Sequence, residues 1–123
     1  MARNPSDLMH GTLDVLVLKT LSWQPMHGYA IMRWIERRTG GVLGFEDAAL
    51  YKALHRLERS GAIEAEWGVS ENNRRAKYYR LTEPGRRELA AEATSWRRYA
   101  AAVVAVLDGE RRDVIDALEP GTA

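Results

Sequence analysis

Between Ser70 and Thr82 the chain reads SENNRRAKYYRLT, and the residues at the start of this run are of the types that bind phosphates and base edges. Arg74 and Arg75 carry permanent charges and several N–H donors each, which suits them to neutralise phosphates or enter a narrow minor groove. Asn72 and Asn73 tolerate tight-turn backbone, and their amides donate to phosphates or base edges. Lys77 adds a further cation. A second set lies upstream in AALYKALHRLERSG, where Lys52, Arg56 and Arg59 stand at i, i+4 and i+7 with Tyr51 and His55 one turn apart beside them. Leu50, Leu54 and Leu57 repeat that spacing two residues earlier. At about 100° per residue the basic stripe falls nearly opposite the leucines. An ordinary amphipathic surface helix has the same pattern, so this helix alone names no ligand.

The elements that must position these groups follow from periodicity. Thr12 is the expected N-cap of LDVLVLKTL, whose Leu13, Leu16, Val17, Thr20 and Leu21 share one helical face. Pro25 breaks the pattern. A second helix is predicted over roughly His27 to Arg38, burying Ile31, Trp34 and Ile35, and the TGG at 39–41 stops it. The third helix starts at a cap on Glu46 or Asp47 and runs to Gly61. AIEAEWG at 62–68 alternates as a strand does, and KYYRL at 77–81 is its antiparallel mate across a polar turn, with Val69 able to extend the first strand. Three helices and a hairpin, with a basic third helix, make a winged helix-turn-helix: helix 3 enters the major groove and the hairpin tip reaches a flanking groove or backbone. Trp23, Trp34 and Trp67 read as core or hairpin-base residues.

Thr82 caps a last helix, with Pro84 in its first turn where proline is tolerated. This helix runs to Leu107 or Asp108, before Gly109. Leu89, Ala93, Trp96, Ala100, Val103 and Leu107 fall at alternating steps of four and three, a heptad seam. About 25 residues span about 37 Å, longer than so small a domain covers, so the seam predicts a homodimer. The competing reading folds the stripe back on its own domain. ERRDVIDALE is expected to add one or two helical turns, and PGTA to fray. The chain thus divides into a winged-helix domain over 1–81, a dimerisation helix over 82–108 and a short tail over 109–123.

Composition bounds these readings. With 123 residues, 46% hydrophobic and 28% charged, the chain has the makings of one modest core. Net charge is only +1, so a polyanionic partner must be met by local charge; between Lys52 and Arg87 nine basic residues face five acidic ones. With no cysteine, disulfides, thiolate metal sites and cysteine nucleophiles are excluded. The apolar run after Arg3 is interrupted by Asp7, His10, Asp14 and Lys19, too often for a signal peptide or a membrane span, and the chain reads as cytoplasmic. His10, His27 and His55 lack metal-ligand spacing, no phosphate loop or dinucleotide fingerprint is present, and no serine has a nucleophile context. No cofactor, metal or catalysis is expected.

Three segments, LVLKTLSWQPMHGYAI, LYKALHRLERSGAIEAEW and RRAKYYRLTEPGRREL, together resemble the PadR family of bacterial transcriptional regulators, in its short branch with a single C-terminal helix. The resemblance spans about residues 8 to 107, and SENNRRAKYYRLT is similar to a subgroup common in acidobacteria. It implies a homodimer on a roughly palindromic DNA operator, usually a repressor; some members release DNA when an aromatic or drug-like effector binds near the dimer interface. It carries Tyr51 over as a backbone contact, Arg74 and Arg75 as wing contacts, and His27 and Tyr29 as the start of helix 2. Ala48 and Ala49 stand where the family often has Gly and Ser or Thr, and Lys52 where it has Pro, so base contacts do not carry over. Trp96, on the seam, is the candidate effector contact, with its mate across the two-fold axis; simple filling of the dimer core is the alternative. A winged helix used only for protein contacts, with the basic stripe merely solvated, is the rival reading.

Overall fold

The computed structural model describes residues 5–118, in the order α1 (Pro5–Leu21), β1 (Met26–His27), α2 (Gly28–Arg38), α3 (Asp47–Arg59), β2 (Ile63–Val69), β3 (Arg75–Leu81), α4 (Glu83–Leu107) and α5 (Arg111–Leu118). The helix-rich winged fold is as expected. The end expected to fray at 120–123, Arg3, and the side chains of Asp7 and His10 lie outside what is described.

The structure departs from the sequence expectation at several places. Thr12 is no cap, because α1 begins two turns earlier with Pro5 in its first position, where the missing N–H costs nothing. Met26 and His27, read as loop and helix start, form a short strand β1 that pairs with Tyr79 and Tyr78 and extends the hairpin to a three-stranded antiparallel sheet in the order β1-β3-β2. Val69 joins β2, as the sequence allowed, and β3 begins at Arg75, two residues before the expected Lys77.

The chain divides into two compact units, one running through Glu92 and the other from Ala93. In the first, the predicted apolar faces meet. Leu13, Val17 and Leu21 of α1, Ile31 and Ile35 of α2, and Leu50, Leu54 and Leu57 of α3 are buried together, with Ile63, Tyr79 and Leu81 of the sheet closing one side. Thr20 is buried in the same layer and donates its hydroxyl to the Leu16 carbonyl at 2.7 Å, so no polar atom is stranded there. The α3–β2 corner is fixed by Gly61 at φ +83, a conformation that suits glycine. Thr82 then locks the start of α4 to that corner. Its hydroxyl donates to the Gly61 and Ala62 carbonyls at 2.6 and 2.9 Å and accepts from the Gly85 N–H at 3.1 Å, as an N-cap should. Gly85 is there for space: a Cβ at this position would lie 2.0 Å from the Ala62 carbonyl oxygen.

In the second unit no described residue is fully buried. α4 continues as one helix to Leu107, and Gly109 precedes the two turns of α5 anticipated in the tail. The helical tail gives the chain a second C-terminal helix where the resemblance implied one. Among the described residues no helix is long and apolar enough to cross a membrane.

Candidate nucleic-acid interface

α3 presents the face its periodicity predicted. Leu50, Leu54 and Leu57 are buried, while Tyr51, Lys52, His55 and Arg59 are exposed. Arg56 is held: its Nη2 donates to Asp14 Oδ1 on α1 at 2.7 Å, which ties the basic face to the first helix. Ala48, Tyr51, Lys52, His55 and Arg56 line one shallow hollow along this face.

Tyr51 joins α3 to the rest of the surface. Its ring lies across the start of α2, where a Cβ on Gly28 would come within 3.0 Å of the Tyr51 hydroxyl oxygen. The glycine of His-Gly-Tyr and the tyrosine of Leu-Tyr are therefore two halves of one contact. His27 caps α2: its Nδ1 accepts the Ala30 N–H at 3.1 Å. That leaves the ring proton on Nε2, which donates to Glu71 Oε1 at the wing at 3.3 Å. Glu71 is held below the usual carboxylate range by a backbone hydrogen bond first and by His27 second.

The wing tip is built as its composition suggested. Ser70 N donates to the Arg74 carbonyl at 2.8 Å and Asn73 N to the Ser70 carbonyl at 2.9 Å, with Asn73 at φ 57, which asparagine tolerates. Asn72, Asn73, Arg74 and Arg75 are exposed at this tip. Lys77 sits lower, 3.4 Å from Glu58 of α3, and fastens the wing to the third helix.

Two tryptophans expected in the core or at the hairpin base are exposed. Trp23 is 62% exposed beneath the Lys19 ammonium, and Trp67 is 57% exposed with the Arg75 guanidinium over its ring at 4.4 Å. Ile63, Ala65, Trp67 and Val69 share one strand face, but the core ends below Trp67, so the outer half of that face meets solvent. Trp34 does pack against the core.

Arg74, Arg75, Lys77 and Tyr51 line one groove, and Tyr51 also borders the hollow on α3, so helix face and wing form a continuous surface. Comparison with known proteins gives this surface its context. Residues 17–91 match the Transcriptional regulator PadR-like family. The chain belongs to that family. A curated relative, an uncharacterized protein from Lysinibacillus sphaericus, is 33% identical over 91 residues, covering 74% of this chain and 84% of the relative. The crystal structure of a PadR family transcriptional regulator from Eggerthella lenta is 31% identical with TM-score 0.69, over 85% of this chain and 88% of that one. A transcriptional regulator from Clostridium thermocellum is 28% identical with TM-score 0.71, over 79% and 94%.

The PadR-like chain is thus a DNA-binding transcriptional regulator and not an enzyme. Sequence reasoning missed a further set of cations. Arg33, Arg37 and Arg38 of α2 border the same groove as the wing arginines. They look like an ordinary helix surface with a basic last turn, and only the position of the wing opposite them reveals more.

Proposed function

We propose that two copies of this chain bind a roughly palindromic duplex operator and repress transcription. α3 lies in the major groove with Lys52, His55 and Arg59 toward bases and phosphates and Tyr51 on the backbone. The wing tip, Asn72 to Arg75, grips the flanking minor groove or backbone. Arg56 and Lys77 enter as ion-paired groups that hold α3 and the wing in register while adding positive potential. The observation that carries this reading is the continuity of helix face and wing through Tyr51.

The expected division at 81 and 108 is functional and differs from that of the compact units, which part at Glu92 within α4; in this proposal α4 sets the distance between half-sites. Leu89 packs against the winged-helix core, so the free seam is Ala93, Trp96, Ala100, Val103 and Leu107. Val103 and Leu107 are exposed, as are Val104 and Val106 beside them. A stripe of this kind is satisfied by a second copy. Trp96 packs edge-to-face on Tyr99 at 5.9 Å and is the proposed contact for an aromatic effector between protomers. The protein is proposed to act in the cytoplasm, where its DNA is.

Fluorescence anisotropy tests the proposal on a duplex from upstream of the protein's own gene beside a scrambled one, at low and moderate salt. The wild type is expected to prefer the native duplex. Replacing Lys52 and Arg75 by alanine should weaken binding and lower the salt slope by about 1.8, at about 0.9 for each phosphate no longer neutralised. Equal binding to both duplexes that K52A/R75A leaves unchanged would overturn the proposal in favour of a protein-contact module.

A further inference from the structure

We infer that α2 carries a second phosphate-binding wall, the stripe Tyr29–Arg33–Arg37, which holds the duplex backbone beyond the segment read by α3. The inference rests on the DNA-binding reading above and extends its footprint to residues that reading does not use.

The groove between α2 and the wing is bordered by Arg33, Arg37 and Arg38 on one side and Arg74, Arg75 and Lys77 on the other, and the one carboxylate among its lining residues is Glu71. That carboxylate is already engaged by His27. Among the described residues the five arginines have no carboxylate within ion-pairing distance, whereas Arg56, Lys77 and Arg80 each have one. Other described cations, Lys52 and Arg59 among them, also lack an ion pair; what sets these five apart is that they border one groove whose single carboxylate is already engaged. Like charges gathered this way repel, and a polyanion relieves the repulsion. The open volume, about 1630 Å³, exceeds the roughly 300–1,000 Å³ of a small-molecule site and fits a macromolecule.

Spacing favours a phosphodiester strand as that macromolecule. Arg33 and Arg37 are one helical turn apart, about 6 Å along the axis, comparable to the through-space separation of neighbouring phosphates on one strand. Arg33 is pre-organised: it stands 5.7 Å over the Tyr29 ring and donates from Nη1 to the Tyr29 hydroxyl at 3.3 Å, which leaves its other N–H groups free. The groove meets the α3 hollow at Tyr51, so a strand leaving the base-read site runs into it without a break.

The test compares salt slopes of wild type, R33Q/R37Q and R74Q/R75Q on two duplexes. One ends at the edge of the base-read site mapped by hydroxyl-radical footprinting, and the other extends a full turn beyond it. On the extended duplex R33Q/R37Q should lower the slope by about 1.8, so that it loses about tenfold less affinity than wild type between about 50 and about 200 mM salt. On the short duplex it should match the wild type. An unchanged slope on the extended duplex, with R74Q/R75Q still lowering it, overturns the α2 wall and leaves DNA binding by the wing standing. A drop on both duplexes overturns the flanking placement. If R74Q/R75Q also has no effect, the parent reading fails and this one with it. Circular dichroism melts of both variants, whose changed side chains are on the surface, establish that the fold is intact.

Discussion

Leu54 and Leu107 are the same residue type on consecutive helices of the chain, yet one is 1% exposed and the other 75%. Leu54 belongs to a unit whose α1, α2, α3 and sheet each bury a face against the others. Leu107 belongs to a unit in which α4 and α5 leave Tyr99, Val103, Val106, Val114, Ile115 and Leu118 in water. The contrast separates two sources of stability. The winged-helix unit gets its free energy from within the chain, and the distal helices hold apolar area that contributes only when a second molecule covers it.

The largest expected effects fall on the self-sufficient unit. Gly85→Ala drives a methyl group into the Ala62 carbonyl at the corner that Thr82 staples, and should cost about 3 kcal/mol or more, read as a collapse of the thermal melt. Leu54→Ala should cost about 2–5 kcal/mol by the same measurement. Leu107→Ala, chemically identical, is expected to stay within about 0.5 kcal/mol in the isolated protomer; a loss as large as that of Leu54→Ala in dilute protein would erase the distinction.

Charge on the distal seam comes next. Val103→Glu with Leu107→Glu should convert a sedimenting dimer to monomer and reduce affinity for a two-half-site duplex by an order of magnitude or more, because the second half-site is then no longer tethered. Its affinity for a single half-site should not change. Trp67→Ala is expected to be smaller: it removes the ring beneath Arg75, a stack worth about 0.5–1 kcal/mol at an exposed site, and should weaken DNA binding by about two- to fivefold. In an Arg75→Ala background the same change should do nothing, and an undiminished effect there would assign Trp67 a contact of its own.

The smallest effect concerns Glu92, at the last position of the first unit. Burial first, and the charges of Glu88 and Asp14 after it, push its carboxyl above the usual range. The folded state therefore favours the protonated form, and stability contributed by this group falls as pH rises through the carboxylate range. Glu92→Gln should raise the melting temperature at pH 7 and lose that advantage in acid.

Much of this was legible in residue order because it depends on local period. The apolar stripes of α2 and α3, the glycine stop at 40–41, the Thr82 cap and the wing turn each follow from neighbours within a few residues. The sequence pattern places the start of α1 at Thr12 and misses it at Pro5, because the apolar pattern begins later than the helix does. What was not legible depends on distant partners. β1 is two residues long and exists because β3 passes beside it. Trp67 has the alternation of a core residue, and its exposure follows from where the core ends. The pairing of Arg56 with Asp14, 42 residues away, and the facing of α2 arginines by the wing arise only on folding.

In the proposed division of labour the winged unit holds DNA while the distal helices pair two copies. Sedimentation velocity on a labelled duplex that the protein itself enriches from a randomised pool measures both at once. Two protomers per duplex are predicted for the wild type, and K52A/R75A should leave the duplex free while still sedimenting as a dimer. Failure to enrich any duplex, or a K52A/R75A variant that binds the duplex as tightly as the wild type, would contradict it.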